Sequence, residues 1–235
     1  MRLHRGRHCR FECHYRRHTP DDAQPLHGIL APGETGRPVA GVGIHAYGGA
    51  GMSGVGRLRD LPLAALTPAQ RTVRDQLLSG PRGAIVGPFN VWLRRPELAD
   101  VADRFGKYCR FGGNLDRSMA ELTILQVASH TGARFEWDHH YPYAQQAGLS
   151  DAQLHDLAQG RPVTGLEEKA HAAYLAVDEM LRTSNLCLDT YRRVVRVLGE
   201  DALIDLVGIV GYYLFVSLTI NVFEIGHEPA GAAGG

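Results

Sequence analysis

ELTILQVASHTGARFEWDHH, residues 121–140, reads as two helical segments broken at Thr131-Gly132, and this reading decides the fold. LTILQVA is an apolar run with no strand-like alternation. In the second segment, Glu136 and His140 are four residues apart and project from one helix face, where a carboxylate can orient, charge or exchange a proton with an imidazole. If the chain turns back at the small-residue break, the two helices lie antiparallel. Glu121 then joins Glu136 and His140 around one pocket, as a proton-transfer site without a metal.

Outward from this stretch the pattern is helical almost everywhere. Toward the N-terminus, Thr67-Pro68 supplies a cap and a first-turn proline for AQRTVRDQLLSG, which stops at Gly80-Pro81. Pro88 begins the short apolar segment FNVWLRR, and Pro96-Glu97 opens a helix through ELADVADRFGKYCRF. The spacing predicts further helices over 118–129, 135–147, 150–159, 166–182, 189–198 and 201–223, with stops at Gly148, Gly160 and Gly199. No run has the alternation of half-buried strands, so the fold class is all-α. The last helix is the most apolar, but Asp205, Ser217, Thr219 and Asn221 interrupt it. It is read as a helix buried in a bundle or subunit interface, not as a membrane span. Tyr212 and Tyr213 on it are read as core residues able to bring a hydroxyl near the pocket.

Residues 1–56 differ, with Gly, Pro, His and Arg throughout and no sustained period. They are expected to form a disordered or loosely held basic extension before a helical domain over 57–228 and a flexible tail over 229–235. Met52 is a candidate start for a shorter protein, which an intact mass beginning at Met1 would exclude. The first eighteen residues lack the apolar core of a secretory signal. Cys9, Cys13, His14 and His18 do not have zinc-finger spacing, and no aromatic platform or recognition helix accompanies the arginines.

The whole chain has 235 residues, 44% of them apolar, and a formal net charge of zero. That is enough for a real core, with no overall attraction to nucleic acid or anionic lipid. Its four cysteines are Cys9, Cys13, Cys109 and Cys187, too scattered for a disulfide-built fold. A reducing cytoplasm is the expected location.

A Glu–His pair at helical spacing is commonly an exposed ion pair, and a Glu before an apolar helix can simply serve the helix dipole. The wider pattern gives this pair more weight. Residues 117–149, RSMAELTILQVASHTGARFEWDHHYPYAQQAGL, resemble the signature of the carboxymuconolactone decarboxylase family, which also contains the AhpD-like alkylhydroperoxidases. The features that match are the Glu beginning an apolar helix, the small-residue turn, EWxxH, and the AGLS that starts the next helix. A looser similarity extends over about 58–225.

In the peroxidase branch, a CxxC pair precedes the histidine. Here the corresponding positions are Ala133 and Glu136, so thiol chemistry is not expected. The decarboxylase branch keeps the Glu and His positions without cysteines. The resemblance therefore implies an AhpD-like helical bundle assembling as a trimer or hexamer, with Glu121, Glu136 and His140 as working residues. The implied substrate is a small carboxylated lactone such as gamma-carboxymuconolactone, and no cofactor is needed because the lactone carbonyl is itself an electron sink. The competing readings are an AhpD-like peroxidase or disulfide reductase and a non-catalytic ligand-binding oligomer.

Overall fold

The computed structural model describes residues 56–58, 61–80 and 83–226. The extension before residue 56, with Cys9 and Cys13, and the tail after residue 226 lie outside the described residues.

Nine α-helices follow one another among the described residues: α1 Pro68–Ser79, α2 Phe89–Trp92, α3 Pro96–Lys107, α4 Arg117–Thr131, α5 Arg134–Gln146, α6 Asp151–Ala158, α7 Glu168–Thr183, α8 Leu188–Leu198 and α9 Glu200–Phe223. The all-α expectation holds, and the ends follow local chemistry. Thr67 and Gln70 form a reciprocal capping box on α1, and Ser150 and Gln153 do the same for α6. Gly132 ends α4 at φ 68°, a left-handed conformation that costs glycine little, so the chain reverses into α5 after one further residue.

Helix α4 is the axis of the fold. Every residue from Glu121 to Ala128 is buried, the pattern of a helix surrounded by others, and α4 packs against α5, α7 and α9. Two apolar clusters flank it. The larger draws on α1, α3, α7, α8 and α9; the smaller joins Leu122, Leu125 and Ala128 to Trp137, Ala144, Leu154 and Leu157. Polar bonds fix the register of α9. Asn221 donates through Nδ2 to the Thr131 carbonyl at the end of α4, at 2.7 Å. The Trp92 indole N–H donates to Thr219 Oγ1 at 3.1 Å, and the Trp92 ring stacks on Phe215 at 4.6 Å.

One detail departs from the sequence reading. The helix expected to run through Phe111 leaves α geometry at Lys107 and continues as a π-turn over Tyr108–Gly112. Asp205 of α9 holds that segment, accepting from the Tyr108 hydroxyl at 2.6 Å and from the Asn114 backbone N–H at 2.8 Å. Helix α5 runs through Pro142, as the expected span 135–147 has it, although Pro142 lacks the N–H that would bond the Asp138 carbonyl.

By length and composition α9 could cross a membrane, at 24 residues and mean hydropathy 2.0, but 61% of its most apolar window is buried inside the protein. The rest of its apolar surface forms a stripe: Ile204, Val207, Leu214, Leu218 and Val222 are exposed on one side of the helix, at steps of three, seven, four and four residues. Exposed Leu98, Val101, Phe105 and Tyr108 of the α3 region add to it. Phe105 meets the Tyr212 ring at 5.2 Å, so the two helices present one apolar face.

Candidate active site

Glu121, Glu136 and His140 come together between α4, α5 and α9. The glycine turn sets α5 antiparallel to α4, and His140 Nδ1 lies 2.7 Å from Glu121 Oε2. Its other nitrogen, Nε2, lies 3.0 Å from Glu136 Oε1 one helical turn back. Glu121 stands in the second turn of α4, and no acidic residue occupies that helix's first turn, so its carboxylate serves the histidine and not the helix dipole. Glu136 does occupy the first turn of α5, where the positive helix end favours its charge.

All three side chains are buried, with His140 1% exposed and each glutamate 5%. An imidazole with a carboxylate at both nitrogens is best satisfied as the cation, which donates from both. Burial acts against the charged ring, but the hydrogen bonds and charges of Glu121 and Glu136 outweigh it, and the pKa of His140 is raised above the ordinary histidine value. Burial likewise pushes Glu136 up, but the hydrogen bond and charge of His140, with smaller contributions from His139 and Arg110, bring it net below the usual carboxylate value.

A fourth group completes the centre. Tyr213 of α9 brings its hydroxyl within 3.4 Å of His140 Nε2, with the two rings edge to face at 5.3 Å. Burial first, then the negative charge of Glu136, pushes the phenol well above its ordinary pKa, so it stays a neutral hydroxyl. The sequence reading favours a core role for Tyr213, with a hydroxyl near the pocket as the alternative; the structure has it buried in the core and in reach of His140.

The cavity beside these groups is lined by Val86, Pro88, Phe89, Phe135, Glu136, His139, Tyr212, Tyr213 and Val216, and at about 20 Å³ it has room for about one water. Glu136, Tyr213 and His139 face it, while His140 stands behind them. His139 also lines the cavity, because the opening lies toward α2 and α9 and away from α4. Asp138 does face solvent, paired with Arg134 at 2.8 Å, and Trp137 is core. Phe135 closes the outer wall, its ring against Gly87 and Gly226. A Cβ on either glycine would come within 2.6 Å or 2.8 Å of that ring.

Neither described cysteine approaches this centre. Cys109 lies in the π-turn, buried, and burial with the Asp205 charge pushes its thiol up to about 12. Cys187 opens α8, where its sulfur contacts Glu179 and Thr190. Ala133 caps the start of α5 where a first thiol of a CxxC pair would stand.

Residues 96–179 match the model of the carboxymuconolactone decarboxylase family, a span that holds Glu121, Glu136 and His140 but not Tyr213. No curated protein matches the chain. Seven chains among solved structures do. One is a protein of unknown function from Agrobacterium tumefaciens with the suggested description antioxidant defence protein AhpD, which matches with a TM-score of 0.53 and 17% identity over 59% of this chain and 96% of that chain. At that identity the likeness speaks to the fold. The match to the carboxymuconolactone decarboxylase family thus extends over residues 96–179, and the fold is all-α and AhpD-like.

Proposed function

We propose that this protein is a cofactor-independent lyase that removes carbon dioxide from a small carboxylated lactone, such as gamma-carboxymuconolactone. The observation that carries the proposal is His140 buried between Glu121 and Glu136, with a carboxylate at 2.7 Å and 3.0 Å from its two nitrogens, an arrangement that favours the cation. When the substrate's carboxylate departs as carbon dioxide, the electron pair of the broken C–C bond enters the unsaturated lactone, and the carbonyl oxygen takes the charge. One proton must then be added to carbon.

His140 Nε2 holds a proton, and the groups between it and the cavity are Glu136 at 3.0 Å and Tyr213 at 3.4 Å. Through them the proton reaches the substrate. Glu121 keeps its hold on Nδ1, fixing the ring and its tautomer. After the transfer Nε2 is an acceptor, and the neutral Tyr213 hydroxyl is placed to donate to it. Burial strengthens each of these interactions relative to water.

The absence of a thiol at Ala133 and Glu136, together with the high pKa of Cys109, supports proton transfer over thiol peroxidase chemistry. The apolar face made by α9 and α3 supports self-association as a homo-oligomer. The test is release of carbon dioxide and loss of lactone absorbance with wild type, His140→Gln and Glu136→Gln. Turnover is expected in wild type and in neither variant; full activity in His140→Gln removes the assignment.

A further inference from the structure

Two arginines stand beside this centre with no carboxylate partner among the described residues. Arg110 lies in the π-turn and Arg117 is the first residue of α4. Both guanidinium groups are packed against Tyr143, at 5.7 Å and 5.6 Å from its ring centroid. The Tyr143 ring in turn meets the edges of His139 at 5.7 Å and His140 at 6.0 Å. A single aromatic side chain therefore connects two unneutralised cations to the cavity-lining histidine and to the buried one.

The placement of Arg110 is built into the backbone. A π-turn interrupts regular hydrogen bonding, and such interruptions occur often at functional sites. This one is fastened by the buried carboxylate of Asp205 at Tyr108 and Asn114. Gly113 lets the segment lie that close, because a Cβ there would come within 2.9 Å of Asp205 Oδ2. The charge balance also calls for a cation. With Glu121 and Glu136 around one imidazolium, the centre carries a surplus negative charge, which would repel an incoming acid. Arg110 offsets it, since its charge reaches both Glu136 and Tyr213.

We propose that Arg110 and Arg117 form an anion subsite beside Tyr143 that binds a carboxylate of the substrate and selects di-acids. The inference rests on the reading of the substrate as a carboxylated small molecule, and it makes a binding claim that needs no turnover. A guanidinium pair suits a planar carboxylate through paired N–H donors.

The test is calorimetric binding of cis,cis-muconate, an unreactive dicarboxylate, to wild type, R110Q, R117Q, R110K, and H140Q. Affinity is expected to fall at least about tenfold in R110Q and in R117Q, the loss typical of a charge-assisted hydrogen bond. R110K is expected to recover part of it, and circular dichroism to stay unchanged throughout. Muconate binding that persists in H140Q supports the subsite, and where the wild type binds muconate but turns over no lactone the lyase reading falls while the subsite stands. Failure of wild type to bind muconate, equal binding by both glutamine variants, or equal affinity for inorganic phosphate would overturn the assignment.

Discussion

Glu121 Oε2 and His140 Nδ1 are 2.7 Å apart, and together with Glu136 they put a carboxylate at each nitrogen of the buried imidazole. Removing the ring therefore exposes two carboxylates to each other in a dry interior. His140→Ala is expected to lose about 3–5 kcal/mol of unfolding free energy, the usual cost of breaking a buried ion pair on one side. His140→Gln retains one donor and should lose less, while turnover disappears in both. Urea denaturation of the two variants beside wild type checks the ranking; an alanine variant as stable as wild type would show that the carboxylates find other partners.

The two pKa shifts set a pH window for the same pair. His140 is raised, so its contribution to stability is complete below the unfolded histidine value near ~6.5 and fades as pH rises through its higher folded value. Glu136 is lowered, so its contribution is complete above its ordinary 4.5 and fades as pH falls through its lower folded value. Between those limits both contributions are present. His140→Gln should flatten the alkaline limb of the stability profile, and Glu136→Gln the acid limb. Denaturation midpoints measured across the window would contradict this if the wild-type curve and the His140→Gln curve were parallel on the alkaline side.

How much of this was legible in the chain depends on the range of the interaction. The Glu136–His140 pair follows from the helical repeat, and the return of Glu121 follows from a glycine, for which the left-handed conformation at Gly132 costs least. Helix ends were within about two residues wherever a cap, proline or glycine marked them. The π-turn was not legible, because its cause is Asp205, 91 residues away from Asn114. The contact of Tyr213 with His140 spans 73 residues and depends on how α9 packs. The place of His139 in the cavity wall is not legible for the same reason: periodicity puts a residue on a helix face, but which face meets a cavity is decided by neighbouring helices.

Phe135 is the side chain whose displacement would widen the cavity, since its ring is the outer wall and its neighbours on two sides are glycines at positive φ. Phe135→Ala should open Glu136 to solvent and raise its carbodiimide labelling, read by peptide mass spectrometry. Gly87→Ala acts oppositely on the fold. It places a methyl within 2.6 Å of the ring at φ +56°, so it should destabilise by about 1 kcal/mol or more. Unchanged labelling in Phe135→Ala would mean that access to Glu136 runs by another route.

The stripe on α9 predicts the response of assembly. Ile204 and Leu218 are each 64% exposed, and their apolar neighbours recur at heptad-like steps, with Gly211 between them leaving room for close helix approach. A charge at the centre of a buried apolar interface is strongly unfavourable, whereas on an exposed surface it costs little. Leu218→Glu should therefore leave helix content unchanged while lowering the mass found by sedimentation equilibrium toward the 25.7 kDa of one chain. A variant that keeps the wild-type mass would place the subunit contact elsewhere. A wild type already at one chain would show that this face is not used for self-association.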